Sequence, residues 1–259
     1  MENLVDVTFL ILVRLDTIDR LENILATTHF LLSGFDTNLF VSEYSSFNNS
    51  LLERLLDKNI RYVFQEDNDQ ILHRTKFLNQ MTSFVETPFV AVWDSDVLIS
   101  VNQIIKSVEL LRNGEADFVY PYEKYFLDTS HILRRFYLQK KDFGFLERNS
   151  AKMKAMYLPC PLGGAFLANL RAYKDAGLEN ESLYGWGMED GERYYRWTNH
   201  GYKIKRIPGP LFHLSHERGI NSVFHNSDQQ FYKQKEVVSV RRNKDASDSN
   251  SSDAQNIIY

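Results

Sequence analysis

The chain has a single cysteine, Cys160, in 259 residues. An internal disulfide and a cysteine-based zinc site are therefore excluded, and a reducing, cytoplasmic setting is the expectation. Long apolar runs are also missing. The most apolar stretch near the start, residues 7–13, is far shorter than the about 20 residues a membrane span needs, and acidic residues precede it. With 30 basic against 34 acidic residues, no excess of positive charge is present to neutralise nucleic-acid phosphates. Only 6 prolines and 12 glycines occur, which rules out collagen-like and low-complexity chains.

What is abundant is aromatic: 18 Phe, 14 Tyr and 3 Trp, most of them expected in the core, with Tyr and Trp at loop edges also the residue types that stack on sugar rings and bases. The pattern along the chain alternates. Residues 5–13 (VDVTFLILV), 38–41, 61–64, 89–93 (FVAVW) and 117–120 read as strands, the first and fourth apolar enough to be covered on both faces. Between them lie helical periodicities. Asp16 and Thr17 can cap a helix with Ile18, Leu21, Ile24 and Leu25 on its inner side; residues 51–56 and 71–81 follow, the latter with Arg74 and Lys76 turned outward. Ser100 and Gln103 form a capping box for a helix with Val101, Ile104, Ile105, Val108 and Leu111 as its stripe and Gly114 beyond its end.

Such alternation predicts an α/β fold with one mainly parallel sheet flanked by helices and its ligand site at the carboxyl ends of the strands. Residues 126–157 are mixed, charged and partly helical, an insertion with no assigned role. Residues 159–168 resume as loop and strand, and 190–200 as a short helix closed by Gly201. The predicted globular domain spans 1–240. Residues 243–256 hold almost no large apolar side chain, so the tail at 241–259 is expected to be disordered.

Four constellations carry chemistry. Asp94-Ser-Asp96 follows the apolar strand 89–93. Two carboxylates there suit Mn²⁺ or Mg²⁺, although the same tripeptide is by itself more often a solvated turn. Leu183-Tyr-Gly-Trp-Gly-Met-Glu-Asp-Gly-Glu192 brackets Trp186 and an acidic pair with glycines, a poor core anchor and a good sugar platform. Asp190 falls at a helix start, where unpaired N–H groups favour a carboxylate able to accept a proton. His213 and His216 could add nitrogen to an oxygen site, a weak signal alone, and Gly163-Gly164 would let a ligand approach the backbone or form a bulge.

In this order, Phe89–Ile99 (FVAVWDSDVLI), the earlier HRTKFLN at 73–79, Gly163-Gly164, Gly185-Trp-Gly-Met-Glu-Asp190 and His213 resemble the β-1,4-galactosyltransferase family and its bacterial family-2 relatives, over residues 5–225. The resemblance implies a GT-A fold and an inverting, metal-dependent transfer from a UDP-sugar, galactose or N-acetylgalactosamine favoured, to a glycan or lipid-linked glycan hydroxyl. It further implies a donor half at about 1–120 and an acceptor half at about 155–225. Matched by motif, Asp96 and His213 would hold the metal, with His216 the alternative. Asp94, Arg74, Gly164 and Arg14 would face the donor, Trp186 and Glu189 would hold the acceptor, and Asp190 would be the base. Two departures stand out: Arg14-Leu-Asp16 keeps only part of the family's Arg-x-Arg, and Pro210 replaces a methionine. The animal anchor, stem and disulfides are not seen, which fits a bacterial cytoplasmic enzyme of surface polysaccharide synthesis, peripheral to the inner membrane. The competing readings are a sugar-nucleotide nucleotidyltransferase, whose glycine-rich basic loop is missing from 13–20, and a non-catalytic sugar-binding module.

Overall fold

A computed structural model describes residues 1–157 and 159–222, with positions 230, 234, 235, 238 and 240 beyond them; the tail expected to be disordered lies outside the described residues. The chain opens as strand β1 (Glu2–Val13), helix α1 (Ile18–Gly34), β2 (Phe35–Ser45), α2 (Leu51–Leu55), β3 (Arg61–Glu66), α3 (Arg74–Ser83) and β4 (Phe89–Trp93). β1 to β4 all run parallel, with β1 between β2 and β4. Their apolar runs are used as predicted: every residue of β4 is buried, and so is β1 from Val7 onward. Thr17 caps α1 by accepting from the Arg20 N–H, but Ile18, expected on the inner stripe, is 67% exposed. As the first helical residue it points away from the sheet that Leu21 and Ile24 face.

Next come β5 (Val97–Leu98), α4 (Val101–Arg112), β6 (Phe118–Tyr120), β7 (Phe126–Asp128), α5 (Ser130–Lys140), α6 (Phe143–Arg148), β8 (Lys154–Ala155) and β9 (Ala165–Asn169), then α7 (Leu170–Asp175), α8 (Glu189–Asn199), β10 (Ile204–Arg206) and β11 (Leu211–His213). The large sheet has the order β10-β6-β9-β4-β1-β2-β3. Within it β9 alone is antiparallel to its neighbours, β4 and β6. The sequence expectation of a single sheet is corrected by a second, four-stranded one, β5-β11-β7-β8. Its strands are two or three residues long, too short for alternation to register. The unassigned segment 126–157 thus supplies two strands and two helices to this smaller layer.

The capping box of α4 is also only half as expected. Ser100 Oγ accepts from the Gln103 N–H (3.3 Å) and donates to Gln103 Oε1 (2.8 Å), but the Gln103 side chain does not return to the Ser100 N–H; its Nε2 donates to the carbonyls of Pro121 (2.8 Å) and Pro210 (3.2 Å). Two loops with carbonyls lacking strand partners are thereby tied to the helix. Between the layers, Asn23 of α1 donates to the Leu214 carbonyl and accepts from Arg134 of α5, whose guanidinium also meets Asp19 and Glu22.

At the other end of the large sheet, Phe118 stacks on Trp197 of α8 with centroids 3.6 Å apart, both rings fully buried. Trp197→Ala should therefore destabilise the protein by about 3–5 kcal/mol, the range for removing a large buried aromatic. Equilibrium denaturation in urea measures it.

Candidate active site

Strand β4 ends in Asp94-Ser-Asp96, and the turn back into β5 brings Asp96 under β11. The Asp96 carbonyl accepts from the Leu214 N–H (2.8 Å), while β11 pairs antiparallel with β5, His213 opposite Val97. As a result Asp96, His213 and His216 present one ligand atom each, all within 4.8 Å of one another. His213 Nε2 lies 3.8 Å and His216 Nε2 3.0 Å from Asp96 Oδ2. Sequence favoured one histidine over the other. Geometry brings both to the same carboxylate.

Each imidazole is oriented from behind. His213 Nδ1 faces Asp128 Oδ1 at 3.0 Å, and His216 Nδ1 faces the Glu217 carbonyl at 2.7 Å. A carbonyl only accepts, so His216 Nδ1 carries a proton and Nε2 is the nitrogen offered to Asp96. Asp128 comes from β7, in parallel register with His213. Its carboxylate behind an imidazole is the arrangement that fixes ring orientation and raises ligand basicity at metal centres. Burial would raise the Asp96 pKa, but the charges of His213 and His216 overcome it and hold the carboxyl well below the usual range. Burial likewise opposes the protonated form of His216, and the hydrogen bond and charge of Asp96 raise its pKa regardless. One anionic oxygen and two imidazole nitrogens, each braced, fit a borderline divalent ion such as Mn²⁺.

Asp94 occupies the same rim. Burial pushes its carboxyl up to about 6, opposed by Arg74 and reinforced by the nearby charges of Asp96 and Asp190. Arg74, at the first position of α3, meets it with Nη2 2.7 Å from Oδ1. The predicted helix 71–81 starts later than expected, at Arg74 with His73 as its cap, because residues 69 and 70 are held in a turn. Arg14 holds that turn: it donates to the carbonyls of Asp69 (2.8 Å), Gln70 (3.1 Å) and Tyr44 (3.0 Å) and pairs with Asp67. The guanidinium predicted to face the donor is thus engaged in the wall beside it. Lys76, also expected at the mouth, is exposed to solvent.

Across the rim, residues 185–188 turn through left-handed backbone at Gly185 (φ 78), Gly187 (φ 94) and Met188 (φ 74), leaving Trp186 half-buried. Glycine at 185 and 187 adopts this conformation without the steric cost that Met188 bears at the same turn. α8 starts at Glu189, which is buried, so Asp190 is its second residue. Arg193, one turn on and nearly inaccessible, donates to Asp190 Oδ1 (2.6 Å) and Glu179 Oε2 (2.8 Å), while the Tyr173 hydroxyl donates to Glu179 Oε1 (2.7 Å). Asp190 Oδ2 lies against Gly163, where a Cβ would come within 2.6 Å of it. Gly164, at φ +85, accepts from the Asp94 N–H (2.9 Å) and is boxed in by Phe126 and Leu211. The two glycines form a floor joining Asp94 to Asp190.

Asp128, Arg193 and Glu179 escaped the reading of the sequence. Asp128 sits 85 residues from its histidine in a strand too short to detect, so no local signal existed. Arg193 did carry one, since i,i+3 neighbours on a helix share a face.

Comparison with known proteins bears on the fold. Residues 155–218, well under half of the chain, match the model of a family described as the N-terminal domain of galactosyltransferase. The fold is that of GT-A glycosyltransferases. The catalytic domain of Drosophila beta1,4galactosyltransferase 7, in complex with xylobiose, superposes with TM-score 0.54 at 16% identity, covering 91% of this chain and 81% of that one. A mutant of that enzyme with manganese, UDP-Gal and xylobiose gives 0.51 at 15% identity, covering 88% and 79%. Mannosyltransferase PcManGT from Pyrobaculum calidifontis, with GDP-Man and Mn²⁺, gives 0.55 at 11% identity, covering 95% of this chain but 65% of that one. No curated protein matches the chain by sequence.

Asp128→Asn should weaken Mn²⁺ binding by about 10–100-fold, the usual effect of losing a carboxylate behind a ligating histidine. His213→Ala and His216→Ala should each weaken it at least as much. Calorimetric titration of metal into the three variants checks the ranking.

Proposed function

We propose that this protein is an inverting, metal-dependent glycosyltransferase that moves a sugar from a UDP-sugar to a glycan hydroxyl. The observation that carries the reading is the convergence of a cation-seeking triad and a separate carboxylate, Asp190, on the two sides of the Gly163-Gly164 floor. Inversion needs a single base opposite the leaving group and no protein nucleophile. Asp190 fills that role: Arg193 fixes Oδ1, leaving Oδ2 toward the floor, where an acceptor hydroxyl can give up its proton as the new bond forms.

Mn²⁺, or Mg²⁺, held by Asp96, His213 and His216 supplies neutralisation of the charge that develops on a departing nucleoside diphosphate. Arg74 and Asp94 stand beside that position as donor contacts, and the braced turn at 67–70 forms the wall of the donor half, residues 1–120. Trp186 and Glu189 face the acceptor from the half at 155–225. Galactose or N-acetylgalactosamine as the donor sugar is supported by the family match at 155–218 and by the UDP-Gal bound in a structural neighbour. In this reading the acceptor is a glycan of bacterial surface polysaccharide, lipid-linked and met at the cytoplasmic side of the inner membrane. Among the described residues no helix is long and apolar enough to cross a membrane.

Asp190→Asn keeps size and most hydrogen bonding but removes the base, so turnover should fall by about 10²–10⁴. Affinity for UDP with Mn²⁺ should stay nearly unchanged. UDP release from UDP-galactose with a glycan acceptor, run with and without chelator, tests the reading. Metal-independent UDP binding, or turnover unaffected by Asp190→Asn, would overturn it; incorporation of pyrophosphate would favour a nucleotidyltransferase instead.

A further inference from the structure

Helix α5 begins two residues after Asp128, so whatever its outer face touches is held close to the metal-side wall of the site. Its inner face is spent: Tyr137 is buried, and Arg134 is clamped by Asn23, Asp19 and Glu22. The outer face is not polar, as a solvated helix face would be. Ile132 is 70% and Phe136 47% exposed, one turn apart, and the Phe136 ring meets Phe145 of α6 at 6.1 Å. Arg135 and Lys140 are exposed on the same face, and Lys141 follows at the helix end. None of these three forms an ion pair among the described residues. Residues 130–157 hold seven basic and two acidic side chains, in a chain whose formal net charge is -4.

An exposed Ile-Phe pair flanked by unpaired cations, on an otherwise acidic protein, matches the surface of an anionic bilayer: apolar side chains enter the acyl boundary while lysine and arginine meet lipid phosphates. A water-facing helix needs neither feature. We propose that the Ile132–Phe136 face of α5 is a docking surface for anionic lipid, laying the rim that carries Asp96, His213 and His216 against the membrane. The inference stands independently of the transferase reading, because lipid binding needs no turnover.

The test is co-sedimentation of the full chain with phosphatidylcholine vesicles, with and without phosphatidylglycerol, at low and high salt. Wild type should sediment only with the anionic vesicles and be released by salt. Ile132→Ser with Phe136→Ser, and separately Arg135→Glu with Lys140→Glu and Lys141→Glu, should each lower vesicle affinity by about tenfold or more. Thermal unfolding should be unchanged in the charge-reversal triple, whose side chains are exposed, and lowered only slightly in the Ser pair, where Phe136 gives up its contact with Phe145. Failure of wild type to bind anionic vesicles, equal binding to neutral ones, or variants that bind like wild type would overturn the proposal. So would a dimer in solution that the Ser pair dissociates, which would show that a second copy covers this face.

Discussion

A carboxylate placed at the buried end of a central strand dictates much of this structure. Asp96 is 8% exposed. A buried carboxylate stays ionised only if positive charge or hydrogen-bond donors replace lost water. Two imidazoles do so here, and each needs its own partner behind it. The requirement therefore propagates outward from one side chain to Asp128, to the β7–β11 pairing and to the backbone of Glu217. A cation bound between the three would satisfy in one step what the histidine protons satisfy in its absence. That is why the same geometry reads both as a charge balance and as a metal site.

The second constraint is topological. Parallel strands put all their carboxyl ends at one rim, but a loop entering a parallel strand would arrive at the opposite rim. β9 runs antiparallel to β4, with Ala165 opposite Trp93, so the loop that precedes it is delivered next to Asp94. Only this reversal lets Gly163 and Gly164 lie between the two acidic groups. The absence of a Cβ at 163 then matters, because the space is taken by the Asp190 carboxylate.

What the sequence disclosed follows from how local each signal is. β4, α4 and the Gly-Trp-Gly-Met-Glu-Asp string are contiguous, and their apolar stripes and turn glycines read correctly because neighbouring residues decide them. The second sheet was invisible, since strands such as Lys154–Ala155 have no alternation and exist only because β7 lies beside them. Arg14 shows the limit of a local signal. Its place at the end of β1 was readable, but its commitment to the 67–70 turn depends on residues more than 50 positions away. Sequence expected one imidazole beside the carboxylate and favoured His213 by its place in the family motif; the second, His216, comes to the same carboxylate through a side-chain orientation that the Glu217 carbonyl holds.

Helix α3 connects the two sides of the rim. At its start Arg74 grips Asp94; midway along it Asn79 accepts from the Glu179 N–H (2.9 Å) and donates to the Glu179 carbonyl (3.0 Å). The Glu179 carboxylate, in turn, holds Arg193, which holds Asp190. Between them His73 packs edge-on against Tyr184, whose hydroxyl reaches Asp69 (2.5 Å) in the turn that Arg14 braces. Asp94 is thus held by the first residue of α3, and Asp190 is held, through Glu179 and Arg193, from Asn79 midway along the same helix. A displacement of the wall at Asp94 must move α3, and moving α3 shifts the buried Arg193–Glu179 pair. That pair is almost wholly removed from water, so separating its charges is strongly unfavourable. The two carboxylates are therefore anchored through one helix as well as through the glycine loop between them, whose Gly163 carbonyl is itself held by the Tyr122 hydroxyl.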